Sequence, residues 1–300
     1  MTAQHEPADA APVVLRSLHT PEDYRQCLAL QDRTWGERFA ERVPTGVLRG
    51  AQKVGGVAAG AFDANQALLG FVFGFNGVRD GRLAHWSYML AVREDAQGRG
   101  LGRRLKTFQR SFLRTSGIEV AYWTYDPLVS ANAHLNLSRL GARPIEYVID
   151  QYGEDTGSDV HRGLGTDRFL VEWRLSDPQI EEALTRGLVV DDGPLATAPT
   201  VTPTAENRSP ERALPSARTV LVEIPEDIFA VRARSADEAW QWRSLTRRAF
   251  RHYLARGYVV TGWHRRPPGR HSAYVLTAPS GVDGPESPAA RALDMPSRAD

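Results

Sequence analysis

The stretch His85–Leu105, HWSYMLAVREDAQGRGLGRRL, holds the residues best spaced for chemistry. Gln97, Gly100 and Gly102 read Q-x-x-G-x-G, with Gly98 inside the run and Arg99, Arg103 and Arg104 beside it. Glycines let a backbone turn tightly and approach a ligand without interference from Cβ. The first turn of a following helix carries N–H groups without partners, and the helix dipole adds partial positive charge there. The sum is an anion site suited to a phosphate or pyrophosphate. Two familiar phosphate loops do not fit. A Walker loop needs Lys after its glycines, and none follows here. A Rossmann loop needs a third Gly where Leu105 stands.

The elements around this loop must hold it open. Leu83–Val92 reads as an apolar strand leading in, and Gly100–Thr115 as a helix leading out. Leu101, Leu105, Phe108 and Phe112 share one face of that helix, and Gly117 ends it. Upstream, Val13–Leu18 reads as a strand. Thr20-Pro21 then starts a helix, with Thr20 as cap and Pro21 in the first turn. A second helix follows Pro44, and Gly55–Phe62 with Ala67–Asn76 forms a hairpin. Downstream come strand Ile118–Tyr125, a helix ending at Leu140-Gly141, and strands Pro144–Tyr152 and Arg168–Leu175. The class is α/β (α+β).

Three hundred residues suit one large domain or two small ones, and 42% hydrophobic content supports a buried core. A net charge of +1 argues against a globally basic nucleic-acid binder. The single Cys27 cannot form an internal disulfide and fits a buried thiol in a reducing compartment. The first twelve residues lack an apolar signal core, and the charge-free run Ala64–Val78 is too short to span a bilayer. A cytoplasmic protein without membrane contact is the expectation. The eight histidines form no H-x-x-x-H pair, so no metal site is expected.

The strand, Q-x-x-G-x-G loop and helix together resemble the acyl-CoA-binding motif of the GNAT superfamily of N-acyltransferases. The resemblance covers about residues 13–176. It implies a mixed, largely antiparallel sheet with helices on both faces. It implies acetyl-CoA or another acyl-CoA as co-substrate, with the loop cradling the pyrophosphate. Gln97, Gly98, Arg99, Gly100, Leu101, Gly102 and Arg103 would form that cradle. Leu90, Ala91 and Val92 would pair with pantetheine through their backbone, and Asn132 and Asn136 would lie near its amides. Flanking segments narrow the likeness: Thr124–Ala142, Tyr147 with Tyr152-Gly153, Thr166–Leu175, Val222–Ile228 and Trp242–Tyr258. They resemble a subgroup with a C-terminal extension, some members of which are associated with N-succinylation of amino acids. That resemblance implies succinyl-CoA as an alternative donor and a small-molecule amine, such as an amino acid, as acceptor. Arg168 and Arg79 are the candidates to hold a carboxylate.

Acyl transfer to an amine needs a held thioester, a neutral amine, an oxyanion donor and a proton for the thiolate. One preorganised backbone donor can contribute about 2.7–4 kcal/mol in the transition state. Candidates to take the amine proton are His85, Ser87, Glu119 and Asp126. The family often places a proton-donating Tyr in the helix after the second central strand, and here Leu137 stands at that position. Tyr125, Tyr147 and Tyr152 are the substitutes. His85, Asp126 and Tyr147 are the catalytic expectations. The missing Tyr motivates a rival expectation, a catalytically degenerate module that binds acyl-CoA or a partner.

Residues 177–218 read as a Pro/Ala/Thr-rich linker, 219–278 as a small α/β extension that packs on the first domain or extends its sheet, and 1–12 and 279–300 as disordered ends. Between Ile228 and His271 stand ten Arg with interleaved aromatics. Such a pattern can bind single-stranded nucleic acid. Helical spacing instead assigns the aromatics to a core and leaves the Arg face solvated. A homodimer through a sheet edge is a further expectation.

Overall fold

The structure, a computed structural model, describes residues 12–153, 155–193, 195–203, 213–266 and 271–279. Both ends expected to be disordered, save residues 12 and 279, lie outside these residues.

The chain opens with β1 (Val14–Ser17), α1 (Pro21–Trp35) and α2 (Thr45–Lys53). Thr20 caps α1 as expected: its hydroxyl accepts from the Asp23 N–H, and Asp23 returns a carboxylate to the Thr20 N–H. Next come β2 (Val57–Phe62), β3 (Leu68–Arg79), β4 (Arg82–Val92) and α3 (Leu101–Thr115). The domain continues with β5 (Val120–Tyr125), α4 (Ser130–Ala133, running on as a wider π turn over His134–Arg139), β6 (Arg143–Val148) and β7 (Arg168–Arg174).

Seven strands lie in the order β1-β2-β3-β4-β5-β7-β6. Every neighbouring pair is antiparallel except β4 with β5. This is the mixed, largely antiparallel sheet that the resemblance implied. Alternation along β2 sorts the layers. Ala58 and Phe62 face a core with Leu30 and Leu48 of α1 and α2, while Val57, Ala59 and Ala61 face Leu101 and Leu105 of α3. Cys27 is fully buried under α1, and burial pushes its thiol up to about 12.

Beyond the first sheet the sequence reading needs correction. The stretch read as linker contains α5 (Pro178–Thr185), capped by Asp177, and β8 (Thr200–Val201). Asp177-Pro178 is a helix start hidden in a low-complexity context. The extension comprises β9 (Thr219–Ile224), α6 (Ile228–Arg234), α7 (Ala236–Leu254), β10 (Val259–His264) and β11 (Ser272–Thr277). It forms its own four-stranded sheet, β10-β11-β9-β8, rather than widening the first. α6 was not foreseen, because at seven residues it shows too little periodicity. Trp242, Phe250, Tyr253 and Tyr258 belong to one buried cluster with Trp123, Phe169 and Trp173 of the first sheet. These aromatics of the Arg-rich segment are therefore core residues, whereas Trp240 is exposed. Among the described residues no helix is long and apolar enough to cross a membrane, and no three His, Cys, Asp or Glu stand together as metal ligands.

Arg243 of α7 is fully buried and donates to Asp126 (2.7 Å) at the end of β5 and to the carbonyl of Leu164 (2.7 Å). Removing one partner of a buried ion pair strands the other charge and costs about 3–5 kcal/mol. Arg243→Met should lose that much in urea unfolding. Because both sheets share one core, the transition should stay single, and two transitions would show that the extension folds apart.

Candidate active site

β4 and β5 pair at only two positions, His85 with Ala121 and Trp86 with Tyr122. Beyond them the strands part. The cause is visible on the other edge of β4. Ser87 pairs with Gly74 and Met89 with Phe73, which leaves Tyr88 as an extra residue without a β3 partner. Such a bulge increases local twist and bends its strand. β5 does not follow, because β7 holds it along its whole length. Backbone groups of residues 87–92 on the β5 side therefore have no strand partner, and a ligand can supply one.

The gap ends at the glycine loop. Gly98 and Gly100 adopt φ of +75° and +71°, and a Cβ at either would point into open space. Gly100 caps α3 in a left-handed conformation without any side-chain hydrogen bond to the helix. The amides of its first turn thus face outward. Gln97, Arg99 and Gly100 are exposed, and Arg99 makes no hydrogen bond or ion pair among the described residues. Two expected cradle residues are partly occupied. Gln97 folds back to donate to the Val92 carbonyl (3.2 Å), and Arg103 donates to the Leu184 carbonyl (3.2 Å). Arg104 reaches away to the Val13 carbonyl (2.9 Å).

The polar side chains read from sequence divide sharply by face. His85 is fully buried on the α3 side. Its Nδ1 donates to Asn76 Oδ1 (2.7 Å), and its Nε2 accepts from Gln109 Nε2 (3.0 Å). Burial, and then the nearby Lys106, pull its pKa down to about 3. Ser87 is buried in the same network, donating to Gln109 Oε1 (2.9 Å) and accepting from Lys106 Nζ (2.7 Å). Lys106 Nζ also lies 3.6 Å over the Trp123 ring, and burial holds it well below the ordinary lysine range. Asn136 is spent as well: Oδ1 accepts from Trp123 Nε1 (2.9 Å) and Nδ2 donates to the Asn132 carbonyl (2.9 Å). The Asn132 side chain has no hydrogen bond among the described residues. His85 is thus a structural histidine whose nitrogens are both engaged, and the expectation of a base there is corrected.

Asp126 and Tyr147 are corrected for a similar reason. Asp126 is nearly buried between Arg243 and Arg168 (3.5 Å). The Tyr147 hydroxyl donates to Asp167 (2.6 Å), and burial holds its pKa far above the ordinary range. Arg168, expected at a carboxylate, points inward to His161 (2.9 Å) and is 6% exposed. Arg79 lies over the Tyr122 ring (4.5 Å) beside Asp80. Glu119 is exposed. Leu137 is buried, and so is Tyr125.

On the α1/α2 side of the gap stand Tyr88 and Glu41, which the sequence reading missed, and Tyr152, which it named as a substitute proton donor. The bulged Tyr88 donates its hydroxyl to Glu41, in the loop between α1 and α2. Burial, and then this bond, raise the Tyr88 pKa, and Tyr152 lies near enough to raise it further. Tyr152 pairs its hydroxyl with Thr124 of β5 (2.8 Å). Tyr88 and Tyr152 therefore flank the parted strands, one tied to each side. Glu41 carried no sequence signal because it lies in a polar loop. The one clue to Lys106 was that it is one of two lysines in an Arg-rich chain.

Two loops roof this side. The Ala40 N–H donates to the Thr156 carbonyl (2.9 Å), and the Phe39 and His161 rings meet edge-on at 6.0 Å. Gly157 sits at φ +68°, where a Cβ would fall 2.0 Å from the Arg38 carbonyl oxygen. The extension clasps the second loop. Arg232 of α6 donates to the carbonyls of Asp159 (2.8 Å), Val160 (3.0 Å) and Arg162 (3.1 Å). Arg247 of α7 grips Asp167 (2.6 Å) and Asp150 (3.1 Å).

No protein-family model matches the chain, and no curated protein does. Solved structures are similar over about half of it. The NatC complex bound to Gag peptide and CoA is 17% identical, over 55% of this chain and 99% of that one, with TM-score 0.44. The ribosomal-protein-S18-alanine N-acetyltransferase from Escherichia coli is 17% identical, over 55% and 96%, with TM-score 0.42. An acetyltransferase of the GNAT family from Streptococcus pneumoniae is 17% identical, over 54% and 99%, with TM-score 0.43.

Two outcomes follow from this geometry. His85 is neutral in the fold but charges at about pH 6.5 once unfolded, so its contribution is complete above 6.5 and fades as pH falls toward 3. Comparing wild type with His85→Asn in urea melts, the wild type should lose about 2 kcal/mol more between pH 7 and pH 5. Parallel profiles would contradict a buried neutral imidazole. Arg232→Ala should speed amide exchange in residues 156–164 and leave β4 and α3 unchanged, since it removes only the clasp.

Proposed function

We propose that this chain is an acyl-CoA-dependent N-acyltransferase that passes an acetyl or succinyl group directly to the amine of a small molecule. One observation carries the reading: a parallel strand pair parts after two residues, and its gap runs into a loop with two left-handed glycines and unpaired helix amides. A long, partly peptidic ligand with an anionic end fits that combination. In this reading the amides from Leu101 to Arg103, with Gly98, Gly100 and Arg99, hold the pyrophosphate. Leu90 and Ala91 pair with pantetheine amides, and Asn132 is free to join them. Gln97 must release the Val92 carbonyl before that group can pair.

The thioester then lies beside the bulge, where backbone N–H groups of β4 can face the oxyanion. Tyr152 is placed to protonate the departing thiolate, in the role that Leu137 cannot fill. Glu41 is placed to take the amine proton, with Tyr88 held protonated beside it. Leu137 also favours a second reading, an acyl-CoA-binding module without turnover. The two differ in whether free thiol appears when acyl-CoA and amine are supplied together.

Calorimetric titration with acetyl-CoA and succinyl-CoA tests the shared premise. At least one thioester should bind at micromolar Kd. Gly100→Trp should weaken it at least tenfold while costing about 1–2 kcal/mol of stability from the left-handed backbone. Failure of both thioesters to bind would refute both readings.

A further inference from the structure

The groove on the α1/α2 side of the gap has a chemistry of its own. It is open, with a volume of about 320 Å³, and is lined by Glu41, Val43, Val47, Phe73, Phe75 and Tyr88. Phe73, Phe75 and Tyr88 form one aromatic wall, with ring centroids 6.0–6.4 Å apart. Phe75 is 39% exposed and Val47 51%, so this apolar surface faces the groove and not a core. Isolated exposed apolar residues are ordinary, but a clustered patch beside a polar anchor marks a binding site.

The charge of the lining is one-sided. Arg42 is its single cation, and the guanidinium is tied at Nε and Nη2 to both oxygens of Asp32 (2.5 and 3.0 Å). Glu41 is its single acid, and Tyr88 caps one carboxylate oxygen. Arg168, which could have met a carboxylate, is 6% exposed, stacked on the Tyr152 ring (5.3 Å), donating to His161 and paired with Asp126. A carboxylate placed here would meet Glu41, and the one cation of the lining is already paired with Asp32. An ammonium would meet Glu41 and the faces of the aromatic wall, both favourable to a cation.

Resting on the acyltransfer reading, we infer that the acceptor is a primary amine with an apolar, preferably aromatic, body and no carboxylate. Its ammonium binds at Glu41 and its body lies on Phe75 and Val47, with the buried Phe73 backing Phe75. The ammonium first gives one proton to Glu41. The neutral nitrogen attacks the thioester carbon, forming the C–N bond, and collapse of the adduct breaks the C–S bond. The nitrogen sheds its second proton, and the thiolate gains one through Tyr152. The sum is amide, free coenzyme A thiol and one proton released through Glu41 to solvent. The amino-acid acceptor implied by the subgroup resemblance does not fit this lining.

The test uses the full chain, acetyl-CoA and amine pairs that differ only by a carboxylate: phenethylamine with phenylalanine, and tyramine with tyrosine. Acetyl-CoA binding is measured first by calorimetry, and its absence refutes the underlying acyltransfer reading. Given binding, free-thiol release should show kcat/KM at least tenfold higher for the amine of each pair. Glu41→Gln should raise the KM for phenethylamine at least tenfold and leave the Kd for acetyl-CoA within twofold. Phe75→Ala should weaken phenethylamine at least fivefold more than methylamine, a split that general unfolding would not produce. Equal or better use of the amino acids, an unchanged KM in Glu41→Gln, or bound acetyl-CoA with none of these amines acylated would each overturn the inference.

Discussion

The molecule is organised around one failure of pairing. β4 carries a residue too many at Tyr88, bends away from β5, and cannot return because its neighbours are fixed. β3 pairs with it along most of its length, while β7 holds β5. The sheet therefore contains a wedge with backbone groups open on one edge, the kind of edge proteins usually cover. The bulge does a second thing. It breaks the strand's alternation: Ser87 faces the α3 side, and the next two residues, Tyr88 and Met89, both face the α1/α2 side.

The α3 side is consolidated by a buried polar network. His85, Gln109, Ser87, Lys106, Trp123 and Asn136 form a chain with nearly every polar atom paired. A satisfied network of this kind fixes side-chain positions more firmly than an apolar patch would. It sits where the strands begin to part, and so it fixes the point from which the wedge opens.

The extension acts on the opposite side. Three arginines from α6 and α7 reach into the loop between β6 and β7 or to the acids that anchor it. That loop meets the α1–α2 loop over the groove. Loops carry function only when a scaffold positions them. Here much of that scaffold is the helix pair α6 and α7, whose arginines lie 70–80 residues later in the chain. Three arginines of the Arg-rich segment thus serve as internal clasps.

Much of the fold was written locally. Periodicity, the Thr20 and Gly100 caps and the turn between β2 and β3 depend on neighbours within a few residues, so sequence alone determined the strand and helix order of the first sheet's domain, though not α5, β8 and α6. It also located the phosphate-suited loop, whose glycine conformations are local demands. What sequence could not assign was which polar side chain faces ligand and which faces core. His85, Asp126, Tyr147 and Arg168 look reactive as residue types, yet each is consumed by a partner on another stretch of chain: Gln109, Arg243, Asp167 and Asp126 in turn. Glu41 and Tyr88 look ordinary and are joined only by folding, across 47 positions. Local elements follow from short-range sterics and hydrogen bonding. The reactivity of a side chain follows from burial and long-range partners, and those exist only once the sheets are packed.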